Sequence, residues 1–396
     1  SHTILGMLNF SLLKSQINSM IREKKDNEER FLKKLGIALK ELNLKAESWD
    51  ELSRKVNLSK TSWLVADFFE PLNRSYPLPL CPPDYKVFAS DGSQIFPDRN
   101  EALPCYLINI GSVFLQYGAD ARAKLSSFPS FFYKDEDRFI PWDGRKVPAD
   151  ATVISEKRTL MEFKEVLRLV EECKNRENSV ALFDGTLILW RLEGTPEDFK
   201  NEIIKPFINV LERLRTFRVP IAGYISFPSS TDVINALRVA LCPDRVSYCN
   251  QCPYTDLPEL PCASIEEVTD RVLFSRVLNP GERSVVFKSS SKILDYYGEH
   301  CVHFFYLNVG EEIVRIEVPR WVVEDRGLLE LVHSVVFDQA RKGGGYPVSL
   351  SEAHEQAVVR AKDREFFFEL IREALVRSGF KVTVSRKGMS KRGPRI

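Results

Sequence analysis

The chain has 396 residues, 44% hydrophobic and 28% charged, with a formal net charge of +1. This composition is ordinary for a globular protein of two or three domains and excludes a disordered chain, a collagen-like repeat and a disulfide-rich scaffold. The near-zero net charge alone gives no indication of a nucleic-acid partner, so any basic surface must be local. The sequence shows no membrane-length apolar run and no secretion signal, and its eight cysteines are few. We therefore expect a cytoplasmic protein without membrane contact.

The first predicted element is a long helix over residues 8–46. Apolar residues recur there at three- and four-residue spacing among many Lys and Glu residues, which leaves only a narrow apolar stripe to bury. A proline-rich stretch over residues 71–84 then marks a boundary. We predict that residues 1–84 form an N-terminal helical segment for dimerisation or partner binding.

The central part predicts alternating strands and helices. Strands are expected at 86–90, 106–117, 128–139, 179–189 and 219–227, with helices at 157–173 and 196–217 between the later ones. Three strands followed by helix, strand, helix and strand are typical of an α/β fold, with a sheet antiparallel at its start and parallel later.

The C-terminal part predicts a hairpin, two helices and a basic tail. The hairpin strands are expected at 301–308 and 312–318, and the helices at 328–341 and 350–378. Residues 381–396 contain no acidic residue and form the tail. The predicted domains are thus 1–84, 85–380 with a Cys-rich insertion at 242–262, and the tail 381–396.

Two aspartates share a local pattern that suggests a metal site. Asp91 ends the first predicted strand, Asp184 lies within a strongly apolar strand, and a glycine follows each. An Asp-Gly pair can also mark a hairpin turn, which competes for Asp91 but not for Asp184. Because a carboxylate in a central strand is costly to bury unless it is paired or metal-bound, we predict a site for a hard cation, Mg²⁺ or Mn²⁺.

The helix between these aspartates offers a third carboxylate. Glu162 lies at the edge of the predicted buried face, while Glu165 points further toward solvent. Glu162 is the better candidate to lean over the sheet, and a solvated acidic helix face is the alternative.

A glycine-rich loop near the C-terminus contains a tyrosine and is followed by a histidine. Residues 343–347 form the loop and include Tyr346, and the following helix is expected to start with a capping box of Ser349 and Glu352. His354 would then lie one turn into the helix, where it suits metal ligation or proton transfer. A structural role as a hydrogen-bonding side chain is the alternative.

Four cysteines cluster in a proline-rich stretch. Cys242, Cys249, Cys252 and Cys262 include one Cys-x2-Cys pair and could hold a structural zinc or an iron–sulfur cluster. Four reduced, unliganded thiols are the alternative, and the spacing does not separate zinc from iron–sulfur.

In their order along the chain, four motifs resemble those of the NurA nucleases, which work with the HerA hexameric ATPase in processing DNA ends. The motifs occupy residues 89–94, 182–187, 279–284 and 345–347 followed by 353–355, and the resemblance runs from Lys86 to Ala374. It implies an RNase H-like mixed sheet flanked by helices, a homodimer, and Mn²⁺-dependent 5′–3′ exonuclease with single-strand endonuclease activity. The family's catalytic positions correspond to Asp91, Asp184, Tyr346 and His354, and less sharply to Glu162, with Glu165 still open.

The implied chemistry is phosphodiester hydrolysis with two Mn²⁺ or Mg²⁺ ions. Asp91, Glu162, Asp184 and His354 would serve as metal ligands, and Tyr346 would position the phosphate or stack on a base. The alternatives are a catalytically silent RNase H-like adaptor for a DNA motor and a phosphotransferase. The phosphotransferase would need a phosphate-binding loop, which we do not find in the sequence.

Overall fold

The computed structural model describes residues 9–98, 101 and 103–381. The chain forms two compact units. The smaller contains the residues up to Tyr76, Phe227–Asn279 and Ser284–Ser290, and the larger contains Pro77–Ser226, Pro280–Arg283 and the residues from Ser291 on. The cysteine-rich stretch thus groups with the N-terminal residues. The predicted functional domains, including the insertion, stay a prediction, and the basic tail beyond Lys381 lies outside the described residues.

The smaller unit is mainly helical. Its helices are Phe10–Ala46, Trp49–Leu58, Asp232–Leu241 and Asp270–Phe274, and its short strands include Asp67–Phe68, Ser75–Tyr76 and Phe287–Lys288. The first and last of these strands pair in antiparallel fashion.

The helix Phe10–Ala46 confirms the predicted long N-terminal helix. The Asn9 side chain caps its start by accepting a hydrogen bond from the backbone N–H of Leu12 at 3.1 Å. Toward its C-terminal end the helix buries Leu35 and Leu42 against other helices of the smaller unit. Its N-terminal half instead leaves large apolar side chains exposed, among them Ile17.

The larger unit is built on a mixed sheet. Its strands are β1 (Lys86–Ile95), β2 (Tyr106–Gln116), β3 (Arg122–Phe132), β4 (Phe139–Trp142), β5 (Arg145–Pro148), β6 (Ser179–Asp184), β7 (Ile221–Ile225), β8 (Val302–Asn308) and β9 (Ile313–Pro319). Seven of them lie in the order β8-β9-β7-β6-β1-β2-β3, while β4 and β5 form a separate hairpin. Strands β1, β6 and β7 are parallel, and the other neighbours pair in antiparallel fashion. Strand β6, apolar from Val180 to Phe183, is central, as its sequence predicts.

Helices cover both faces of this sheet. They are α1 (Ala151–Glu172), α2 (Glu197–Thr216), α3 (Arg326–Lys342), α4 (Val348–Ala357) and α5 (Ala361–Arg377), with one-turn helices at Asp135–Arg138 and Arg320–Val323. Helix α1 packs the ring of Phe163 on Phe183 of β6, with centroids 4.2 Å apart. The alternation of side chains along β1 places Ser90 and Gly92 toward α1, and Asp91 and Ser93 toward α4.

Several predicted boundaries are wrong: among them, the first strand runs on to Ile95 and the helix predicted from residue 157 begins at Ala151. The third strand spans Arg122–Phe132 rather than 128–139. The strand predicted at 179–189 ends at Asp184, because Gly185 adopts a positive φ of 121° and turns the chain. The helix predicted at 350–378 is two helices, because side chains of β1 and β2 (Ser93 and Asn109) bind the carbonyl of Ala357 at the end of α4.

The fold is therefore the expected mixed α/β arrangement, a large mixed sheet flanked by helices. Within the part of the chain that the structure describes, no helix combines the length and apolarity needed to cross a bilayer.

Candidate active site

The two aspartates of the sequence motifs lie side by side on adjacent parallel strands. The pairing of β1 with β6 runs up to Ser90 and Phe183, and Asp91 and Asp184 are the next residues on their strands. Because β1 continues to Ile95, the hairpin-turn alternative for Asp91 is wrong. The expectation that Asp184 lies within its strand is wrong as well, since Asp184 is the last residue of β6.

His354 contacts Asp91 directly. Its Nδ1 lies 3.0 Å from Oδ2 of Asp91. If Nδ1–H donates this hydrogen bond, the lone pair resides on Nε2 of a side chain that is 62% exposed. The predicted capping box is wrong, because Pro347 holds the N-cap position of α4 and Ser349 is buried. His354 consequently lies in the last turn of α4 rather than one turn from its start.

Tyr346 contacts Asp184. Its hydroxyl lies near enough to the Asp184 carboxylate to lower the pKa of that group, and its ring meets the ring of Tyr224 edge-on at 5.4 Å. Two glycines with positive φ, Gly344 and Gly345, turn the loop that presents it. Burial and the charge of Asp184 raise the pKa of Tyr346, so that the phenol stays neutral and remains a donor.

Glu162 is the carboxylate of α1 that approaches the two aspartates. Its side chain is 4% exposed, and Oε1 lies 3.0 Å from Nε of Arg158. Burial raises the pKa of Glu162 to about 8; Arg158 opposes this shift, while Asp91 and Asp184 add to it. Glu165 instead pairs with Arg168; its side chain is 11% exposed and is not part of the cavity lining.

Gly92 makes room for this approach. A Cβ atom on residue 92 would lie 2.5 Å from Oε1 of Glu162 and 2.7 Å from Cγ of Arg158. A side chain at position 92 would therefore displace one or both groups. The glycine after Asp91 thus has a steric reason in the structure.

A cavity of about 210 Å³ is lined by the three carboxylates, whereas His354 and Tyr346 are not part of its lining. Asp91, Glu162 and Asp184 line it together with three residues that the sequence analysis missed: Glu156, Arg158 and Arg191. Glu156 is buried, lies 3.6 Å from Nε of Arg191, and has a pKa raised by burial. Burial and Asp91 likewise raise the pKa of Asp184, although Tyr346 and His354 oppose the shift.

The missed glutamate had a signal in the sequence. Glu156 falls on the same helical stripe as Val153, Leu160 and Phe163, which are all buried. A carboxylate on an apolar stripe indicates a buried charge that needs a partner, such as an ion pair or a metal. The predicted helix began at residue 157, one position too late to include it.

The carboxylates and the histidine are ligand types that a hard divalent cation accepts, although their side chains are not arranged as a ligand group. Among the described residues, no group of three His, Cys, Asp or Glu side chains is placed to hold a metal ion. Oε1 of Glu162 is nevertheless buried without a hydrogen bond of good geometry. Three carboxylates that line one cavity, one of them with a buried oxygen that has an ion pair but no well-aligned hydrogen bond, fit a site for Mg²⁺ or Mn²⁺.

The comparison with protein families agrees with the sequence motifs. The family model described as the NurA domain matches residues 85–359. A crystal structure of NurA with manganese is similar over 89% of this chain and 98% of that chain, at 13% identity and a TM-score of 0.36. Comparison with curated proteins returned no match.

Proposed function

Because this chain belongs to the NurA family, we propose that it is a metal-dependent deoxyribonuclease with 5′–3′ exonuclease and single-strand endonuclease activity. The observation that carries the proposal is the carboxylate-lined cavity beside Asp91, within β1, and Asp184, at the end of β6. A phosphodiester bond needs charge stabilisation on both its attacking and its leaving oxygen, and a cluster of metal-binding carboxylates is a common way to supply it.

Asp91, Glu162, Asp184 and His354 would hold Mn²⁺ or Mg²⁺, in our proposal as two ions. Bound ions would supply Lewis-acid stabilisation and an activated water. Glu162 is proposed over Glu165 because only Glu162 faces the cavity. Metal binding requires ionised carboxylates, and a bound cation would offset the burial and the repulsion from Asp91 and Asp184 that raise the pKa of Glu162.

The remaining residues would orient the metal ligands and the substrate and neutralise charge on the phosphate backbone. Tyr346 is proposed to orient Asp184 through its neutral hydroxyl and to position the scissile phosphate or stack on a base. Arg158 and Arg191 bring positive charge to the cavity, where they would favour a phosphate backbone over an uncharged ligand. His354 would serve as a ligand or transfer a proton through Nε2.

The wider setting is also part of the proposal. The order β3-β2-β1-β6-β7, with three antiparallel strands followed by two parallel ones, supports an RNase H-like core. The exposed apolar residues in the N-terminal half of Phe10–Ala46 support a homodimer.

We propose a HerA-type hexameric ATPase and DNA ends as further partners. All eight cysteines are free thiols, which agrees with the cytoplasmic location we propose.

The test is the cleavage of end-labelled single- and double-stranded DNA with Mn²⁺, with Mg²⁺ or with EDTA. We expect cleavage with the metals and none with EDTA, and a loss of at least about a hundredfold in Asp91→Asn and in Asp184→Asn. Asp120→Asn, an exposed aspartate outside the cavity, is the control and should cleave normally. A folded wild-type protein that cleaves neither DNA with either metal would contradict the nuclease and favour the silent adaptor.

A further inference from the structure

Sulfur lines a second small cavity, in the smaller unit. The cavity has a volume of about 40 Å³. Four of the eight cysteines of the chain contribute to its wall: Cys242, Cys249, Cys252 and Cys262. All four are free and partly exposed. Two of them form a Cys-x2-Cys pair, and the other two come from the beginning and the later part of the same loop.

Polar contacts from elsewhere in the smaller unit hold the backbone of this loop. The ammonium of Lys55 donates to the carbonyl of Cys242 at 2.6 Å, and Nε of Arg238 donates to the carbonyl of Cys262 at 3.1 Å. The backbone N–H of Cys249 donates to the carbonyl of Lys60 at 3.1 Å. Three of the four cysteines are therefore anchored independently through their backbones, and all four line the same cavity.

The loop has little other internal structure. Between the helices Asp232–Leu241 and Asp270–Phe274, its regular elements are the 3-10 turns Cys249–Gln251 and Pro261–Ile265. A segment of this length without helix or strand gains little from its own backbone hydrogen bonds. A bound metal is a common way to stabilise such a segment.

Two basic side chains lie close to the four cysteines. Arg238 lines the cavity and stacks over the ring of Trp63 at 4.4 Å, and Lys55 lies against the backbone of Cys242. Four thiolates bound to a metal leave a net negative charge, which nearby cations offset. Arg238 and Lys55 would therefore offset part of the negative charge of a four-thiolate metal centre, beside the acidic Asp244 that also lines the cavity.

We propose that Cys242, Cys249, Cys252 and Cys262 form a metal centre, separate from the nuclease site, that binds zinc or an iron–sulfur cluster through four thiolates. As positioned, no three side chains of the described residues form a ligand group, so the thiols would have to close around the metal. Rotation about the single Cα–Cβ bond of each cysteine moves its sulfur without moving the anchored backbone.

The test is the metal content of anaerobically purified full-length protein. We expect about one zinc ion, or one cluster with brown colour, per chain. Cys252→Ser should lose most of that metal. Cys81→Ser is the matched control, because Cys81 is also a partly exposed free thiol but lies outside the cavity, and it should keep the metal. Wild-type protein with neither metal, or equal metal in both variants, would overturn the proposal.

A second measurement covers the case in which Cys252→Ser does not fold. In native wild-type protein, a thiol reagent should reach four more cysteines after chelation or cluster oxidation than before. An unchanged number of reactive thiols would also overturn the proposal. Both readouts are independent of DNA cleavage, so a failure of the metal centre and a failure of the nuclease are distinguishable.

Discussion

At the scale of single residues, the pKa of Glu162 links the active site to stability. Its value of about 8 lies well above the ordinary 4.5 of a glutamate, because burial disfavours the charged form. The folded protein therefore holds a proton that the unfolded chain releases at neutral pH. The stability contributed by neutral Glu162 is full below about pH 4.5 and is lost as pH rises toward about 8.

We predict that, in EDTA, the free energy of unfolding falls by up to about 1.4 kcal/mol per pH unit over this range. Glu162→Gln should remove this part of the pH dependence, since its amide is neutral throughout. Denaturant unfolding at about pH 5, 7 and 9 measures it. Glu165→Gln keeps Glu162 and should retain the wild-type slope. Identical slopes for both variants would show that Glu162 does not titrate in this range.

Gly92 allows a second prediction at this scale. Gly92→Ala should displace Glu162, because the new Cβ would lie 2.5 Å from its Oε1. We expect metal-dependent cleavage to fall about tenfold or more, as expected for a misplaced catalytic group. Gly194→Ala is the control, since a Cβ at that position meets nothing within 4 Å. Equal cleavage by the two variants at saturating Mn²⁺ would mean that the position of Glu162 does not matter for the reaction.

At the scale of elements, hydrophobic periodicity located most helices and strands, while tertiary contacts set their ends. The apolar run after Asp184 is typical of a strand. In the structure, however, the buried carboxylate of Glu317 accepts hydrogen bonds from the N–H of Leu187 and the hydroxyl of Thr186, and this segment does not continue the strand. The break after Ala357 depends on side chains from distant strands. Such long-range hydrogen bonds leave no local pattern, so a single sequence does not reveal them.

The same limit applies to the site. Asp91, Asp184 and His354 carry recognisable motifs, but the pairing of Glu156 with Arg191 depends on a contact between segments 35 positions apart. The sequence placed Glu162 at the edge of the buried face of its helix, and the structure turns that side chain into the cavity.

The N-terminal helix leads to a prediction about assembly. Phe10, Leu13, Ile17 and Met20 follow a three-four-three spacing, and all except the half-buried Leu13 are exposed. This spacing is typical of a helix that packs against a second helix. We predict that Ile17→Asp with Met20→Asp shifts the protein from dimer to monomer in analytical ultracentrifugation.

The control for this pair carries equal charge on the opposite face of the helix. Ser15→Asp with Ser19→Asp adds the same two negative charges away from the apolar stripe. It should leave the dimer intact. Both variants keep Leu35 and Leu42, which belong to the core of the smaller unit. A double variant Ile17→Asp, Met20→Asp that remains dimeric would show that this stripe is not the assembly surface.

At the scale of the whole molecule, the net charge of +1 means that DNA attraction must arise from local groups. Arg191 is the exposed cation on the cavity wall, while its partner Glu156 is buried. If Arg191 contacts one phosphate of a bound strand, it contributes one released counterion to binding. The affinity for single-stranded DNA should then fall linearly with salt on a double-logarithmic plot, by about 0.7 for each neutralised phosphate.

We predict that Arg191→Gln lowers this slope by about 0.7 and weakens binding at low salt. Fluorescence anisotropy with a labelled oligonucleotide, in EDTA to prevent cleavage, measures both effects. Arg213→Gln is a close control, because Arg213 is also 47% exposed and also pairs with a glutamate, but lies outside the cavity. If the two variants reduce the slope equally, the contact with DNA is diffuse and the cavity wall does not bind the strand.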